Sequence, residues 1–145
     1  MHDSSSVDPI FKKVKVDNSG DLRVDGAYAQ GIVVELGDLI NAGKVDVNGV
    51  GSVGLKVGFS NAYPAISSDI NKKIENEGDI TVTGDGTFIK MQNSNNYNSI
   101  NAAIGIEGRA VDIYNSGKID ITGDAKYIND YYPQVTLGVR GIKIE

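Results

Sequence analysis

Apolar residues in this chain recur in pairs two positions apart, and glycine frames each pair. Four stretches repeat the arrangement: VDNSGDLRVDG (16–26), LINAGKVDVNG (39–49), IENEGDITVTG (74–84) and IYNSGKIDITG (113–123). Aligned on Asn-x-Gly, their apolar pairs are Leu22/Val24, Val45/Val47, Ile80/Val82 and Ile119/Ile121, closed by Gly26, Gly49, Gly84 and Gly123. A further apolar column precedes the asparagine: Val16, Leu39, Ile74 and Ile113. Alternation with period two predicts short strands that bury one face each, and the glycines mark the bends between them. Self-similarity along the chain predicts stacked repeats. Gly20 to Gly43 is 23 residues, room for one coil of three strands at Val14–Val16, Leu22–Val24 and Ile32–Val34. The expected fold is all-β, a right-handed parallel β-helix of about four to five coils over residues 14–145. Its hand follows the general rule for parallel crossovers.

Two columns carry information beyond the alternation. Asn18, Asn41, Asn76 and Asn115 would lie one above another, and a carboxamide both donates and accepts, so they can form a ladder along the axis. Alternatively, asparagine is there because it tolerates a left-handed backbone at the bend. Three positions before each asparagine stand Lys15, Asp38, Lys73 and Asp112, with Lys143 of GIKIE expected in the same column. After each first glycine stand Asp21, Lys44, Asp79 and Lys118. Signs alternate in both, as in-register stacking would select, because like charges directly opposite destabilise a sheet. The match of GIKIE (141–145) to AVDIY (110–114) leads to the expectation that the parent sequence continues with Asn-x-Gly after Glu145.

Gly43 to Gly78 is 35 residues and Gly78 to Gly117 is 39, so later coils carry inserts. These are read as 58–73, 92–108 and 129–141, all leaving one corner after the third strand. In a rival layout 92–108 forms an extra coil through Ile104 and Ile106. The inserts are rich in Asn, Ser, Tyr and Pro, as loops are. Phe59, Tyr63, Tyr97, Tyr131 and Tyr132 are the candidate ligand-binding residues, since rigid rings stack while neighbouring amides hydrogen-bond. Their other role would be to pack the loops onto the coils.

Composition agrees with strands: 17 Ile and 15 Val stand against 5 Leu and 9 Ala, with 18 Gly and 13 Asn as turn formers. β-Branched side chains suit a pleated surface. A net charge of −5 and the lack of any Lys/Arg cluster argue against nucleic acid as a partner. No apolar stretch is long enough to insert in a membrane. One histidine and no cysteine leave no nucleophilic triad and no metal site, and neither a cofactor nor a catalytic centre is expected. GVGSVG (49–54) spells G-x-G-x-x-G, but a strand follows where a dinucleotide site needs a helix. DNSGD (17–21) resembles the start of a calcium loop, yet its glycine is fourth and position twelve is Tyr28. Residues 1–13, with the polar MHDSSSVDP, read as a leader or capping segment, and the whole as a fragment of a larger chain.

The copies NAGKVDVNGVGSVGLKV, NEGDITVTGDGTFIKM and NSGKIDITGDA resemble the β-helical passenger regions of bacterial autotransporters, the pertactin-like class. The resemblance implies an extracellular module at the bacterial surface, usually an adhesin. Its expected partners are a host-cell glycan, a protein receptor or neighbouring bacteria, with end-to-end or edge self-association as a further possibility. A polysaccharide-cleaving β-helix and a structural stalk for a distal domain are the alternatives.

Overall fold

The computed structural model describes residues 14–58, 71–90, 97–100, 103–127 and 139–144, and describes 86–90, 97–100 and 125–127 by their backbone alone. The described residues form strands and turns without a helix. The first circuit of the chain is β1 (Val14–Asn18), β2 (Asp21–Asp25) and β3 (Gln30–Val34). The second is β4 (Gly37–Asn41), β5 (Lys44–Asn48) and β6 (Val53–Val57). The third runs through β7 (Lys73–Asn76), β8 (Asp79–Thr83), β9 (Gly86–Lys90), β10 (Tyr97–Ile100) and β11 (Ile104–Gly108). The fourth holds β12 (Asp112–Asn115), β13 (Ile119–Thr122), β14 (Ala125–Tyr127) and β15 (Arg140–Ile144).

Three parallel sheets of four strands result: β1-β4-β7-β12, β2-β5-β8-β13 and β3-β6-β11-β15. Successive circuits align without a slip in the first two sheets: Val16, Leu39, Ile74 and Ile113 are opposite one another, as are Leu22, Val45, Ile80 and Ile119. A slip of one residue would turn every apolar side chain outward, which is why the register is strongly specified. The core is deepest in the middle. Leu39, Val45, Val47, Leu55, Val57, Ile74, Val82 and Ile106 are fully buried, whereas their counterparts Val16, Leu22, Val24, Ile113, Ile119 and Ile121 in the end circuits are half-buried.

The asparagine column hydrogen-bonds along the stack. Asn18 Nδ2 donates to Asn41 Oδ1, Asn41 Nδ2 to Asn76 Oδ1 and Asn76 Nδ2 to Asn115 Oδ1, each at 2.7 Å. Each amide also donates to the carbonyl of the glycine two residues on. None of the four has a positive φ; among described non-glycine residues only Tyr28 and Ala110 do. Side-chain chemistry, not backbone conformation, therefore accounts for the column.

The third sheet is not the one expected from sequence. Residues 86–90 and 125–127, which stand where the expected inserts at 92–108 and 129–141 would leave the third strand, do not join that sheet but pair with each other as β9 and β14 in a separate sheet, with β10 antiparallel on β9. Their places are taken by β11 and β15, so Ile104 and Ile106 belong to the third circuit rather than to an extra coil. Glycine makes the choice. A methyl group added at Gly54 would lie 2.6 Å from Ile80 Cγ2, and one at Gly105 2.5 Å from Ile119 Cγ2, so the third sheet approaches the second too closely for any side chain. QGI, VGL, IGI and RGI all supply that glycine. AKY lacks it, and aligning Gly86 there would bring Thr87 into the column of Ile32, Leu55 and Ile106.

Two further corrections follow. The inserts do not share one corner: 58–72 leaves after β6, between the third and first sheets, whereas 85–102 and 124–139 leave after β8 and β13, between the second and third. Lys143 is not in the column of Lys15, because β15 pairs with β11, and this removes the basis for expecting Asn-x-Gly directly after Glu145. The ion pairs at Lys15, Lys73 and Lys118 run along their own strands, to Asp17, Glu75 and Asp120. The alternating columns do lie in register, with Lys15, Asp38, Lys73 and Asp112 opposite one another.

Lys143 instead completes a charged ladder, Lys56–Glu107–Lys143, on the third sheet. Glu107 is 5% exposed and receives Lys56 Nζ at 3.0 Å and Lys143 Nζ at 2.8 Å. Burial pushes its carboxyl upward, but the hydrogen bonds from Lys143 and Lys56 outweigh burial and hold it below its ordinary value. A carboxyl depressed in the folded state contributes stability above its unfolded value, and that contribution is lost as pH falls through the folded one. Glu107→Gln should cost ~2–3 kcal/mol at neutral pH, at the lower end for a broken buried pair because both lysines keep some solvent contact. Urea titrations should show the gap to wild type narrowing in acid. A gap independent of pH would show that the carboxylate charge contributes nothing.

Candidate functional site

The second corner, between the second and third sheets, concentrates the polar chemistry. In the first circuit it is a tight turn, where Ala29 N donates to Gly26 O at 3.2 Å. In the third circuit the same turn is opened by 85–102, yet Ala103 N still donates to Gly84 O at 3.2 Å, so the ends of the insert meet. The insert of the fourth circuit rejoins the stack beside it, with Arg140 N donating to Ala103 O at 3.0 Å. The third-circuit insert is thus an excursion on a turn that the stack holds closed. β9 and β14 pair in parallel, Gly86 opposite Ala125, and continue the stacking outward from that corner.

At the foot of these excursions is an open groove of about 350 Å³, lined by Asn48, Gly49, Val50, Thr83, Gly84, Asp85, Thr122, Gly123 and Asp124. Its floor is the stacked closing glycines, whose N–H groups are engaged: Gly49 N donates to Thr83 O and Gly84 N to Thr122 O, each at 2.8 Å. One wall is the exposed column Asn48, Thr83 and Thr122, adjacent across successive circuits. Asn48 is tied to the first circuit, its Nδ2 donating to Asp25 Oδ1 at 3.4 Å. Opposite are Asp85 and Asp124, with Asp124 N donating to Asp85 Oδ1 at 3.0 Å. Among the described residues the lining carries two carboxylates and no cationic side chain. Such a surface offers hydroxyl and carboxylate groups at the strand spacing of ~4.8 Å, which suits a neutral, hydroxyl-rich ligand and repels anions.

Of the residues singled out from sequence, Phe59, Tyr63, Tyr131 and Tyr132 lie outside the described residues. Tyr97 falls in β10 opposite Lys90, placed by its backbone alone. Phe59 and Tyr63 fall in the sequence between β6 and β7. An aromatic that sequence reading passed over is Tyr114, 59% exposed on the first sheet. It borders a second open groove of about 450 Å³ with Glu75, Glu77 and Ser116. The groove at the second corner also went unread, although the repeat signals it: the residue before each closing glycine is Asp25, Asn48, Thr83 or Thr122, polar and exposed in all four copies. Among the described residues no cluster of His, Asp and Glu has the arrangement to hold a metal ion. No family model, curated protein or solved structure matches this chain.

Proposed function

We propose that the chain is a right-handed parallel β-helix of four circuits and serves as a non-catalytic, surface-exposed passenger module. It attaches a bacterium to a host cell or to a neighbouring bacterium by holding a hydroxyl-rich glycan at the second corner. The observation that carries this reading is the joint placement of two inserts and a polar groove, with no cation among its described lining residues, on a scaffold whose turn stays closed beneath the first insert. Loops on a rigid frame are where binding residues concentrate, because the frame keeps its stability while loops vary. The three in-register parallel sheets support the β-helical reading, and the repeat NxGxIxVxG supports the resemblance to autotransporter passengers.

A glycan array with the whole chain tests it. Thr83→Val with Thr122→Val should weaken binding of any recognised glycan by ~1–3 kcal/mol while leaving the thermal midpoint within a few degrees, since both side chains are exposed. A wild-type chain that binds no glycan would leave the stalk reading in its place. One observation favours a second reading, a polysaccharide-cleaving enzyme: Asp85 and Asp124 flank the groove on adjacent circuits, and glycoside hydrolysis uses paired carboxyls ~5–9.5 Å apart. Release of reducing ends from a polysaccharide panel, abolished in Asp85→Asn, would establish that reading instead.

A further inference from the structure

We propose that this chain associates head to tail with a second copy of itself, the first-circuit edges of one copy seating on the fourth-circuit edges of the next. Each of the three parallel sheets ends in β1, β2 or β3 on one side and in β12, β13 or β15 on the other. An exposed strand edge is a template for another strand. All three edges at one end share one register, so a second copy adds to them as one circuit adds to the last.

Four features match across that junction. The inward columns lie open at both ends, with Val14 54%, Ile142 44% and Ile144 65% exposed, whereas Leu55 and Ile106, in the column of Ile142, are fully buried. At the first-circuit end Val14, Val16, Val33, Val34, Glu35 and Leu36 line an open cleft of about 340 Å³, and Ile144 of the next copy would stack on its Val34. The asparagine ladder has a direction, because every cross-circuit bond is donated toward the fourth circuit. It therefore ends on Asn115 and begins on Asn18: among the described residues, Asn115 Nδ2 donates only to Gly117 O and Asn18 Oδ1 receives only the long 3.4 Å contact from Gly20 N. Asn115 of one copy and Asn18 of the next supply what the other lacks. The charge columns also continue their alternation: Asp112 meets Lys15 and Lys118 meets Asp21, while Asp120 meets Arg23.

Head-to-tail contact is heterologous, so it does not close on itself. Sedimentation of the whole chain from ~10 µM to ~1 mM should show a mass that rises past the dimer without a plateau. Val16→Lys blocks the head and Ile142→Lys blocks the tail. Each variant alone should self-associate at least ~tenfold more weakly, yet an equimolar mixture should form pairs and stop there, because one good head and one good tail remain. Val14→Lys and Ile144→Lys, at positions already exposed, repeat the test should either first variant fail to fold. A wild-type chain that stays monomeric at the highest concentration overturns the proposal. So does a plateau at a dimer, or continued growth of a folded blocked variant.

Discussion

Ile80→Ala is expected to cost ~3–5 kcal/mol, and Ile119→Ala, one circuit on in the same column, only ~1–2 kcal/mol. Both remove the same atoms. Ile80 is 1% exposed, between Val45 and Ile119 and against the glycine of β6, so its truncation leaves a cavity that a β-stack cannot collapse to fill. Ile119 is half-buried at the end of the stack, where water already reaches part of the column. Denaturant titrations of dilute protein measure the two, with dilution keeping self-association out of the comparison. Equal costs would show that the fourth circuit is covered as thoroughly as the third.

Asn76→Ala is expected to cost ~2–4 kcal/mol, against ~0.5–1 kcal/mol for Asn18→Ala. Asn76 is 1% exposed and central: its removal takes the acceptor from a buried Asn41 N–H and the donor from the buried Gly78 carbonyl, and breaks the link to Asn115 as well. A buried polar group left without a partner costs its full desolvation, whereas groups at the end of the ladder recover water. Asn18 is such a case, with its contacts to Asn41 and Gly20 part-buried or exposed. Asn76→Asp separates the two halves of the bond, since a carboxylate accepts from Asn41 but cannot donate to Asn115. An Asn76→Ala variant as stable as Asn18→Ala would mean that the carboxamides contribute bends rather than a ladder.

Much was legible without coordinates because its cause is local and repeated. Two apolar residues at spacing two, glycine after them and Asn-x-Gly before them mark strand, buried face and bend within eleven residues. Identical copies can stack only with like positions in line, so the asparagine column and the charge columns of the first two sheets could be read by alignment. What tertiary structure alone decided lies where an insert interrupts that spacing. After Gly84 the chain offers TFIK and, later, AIGIEG as strands, and local alternation favours neither. The contest is settled by the depth between the second and third sheets, which excludes every side chain larger than hydrogen at Gly31, Gly54 and Gly105. The side chain that imposes that limit is Val45, Ile80 or Ile119, a residue of another strand in the next turn of the sequence, so the strand itself does not contain both halves of the constraint. The same choice places Lys143 against Glu107, gathers two inserts at one corner and leaves a third at another. Repetition specified the stacked parallel strands; close packing between sheets decided which segments complete the third sheet.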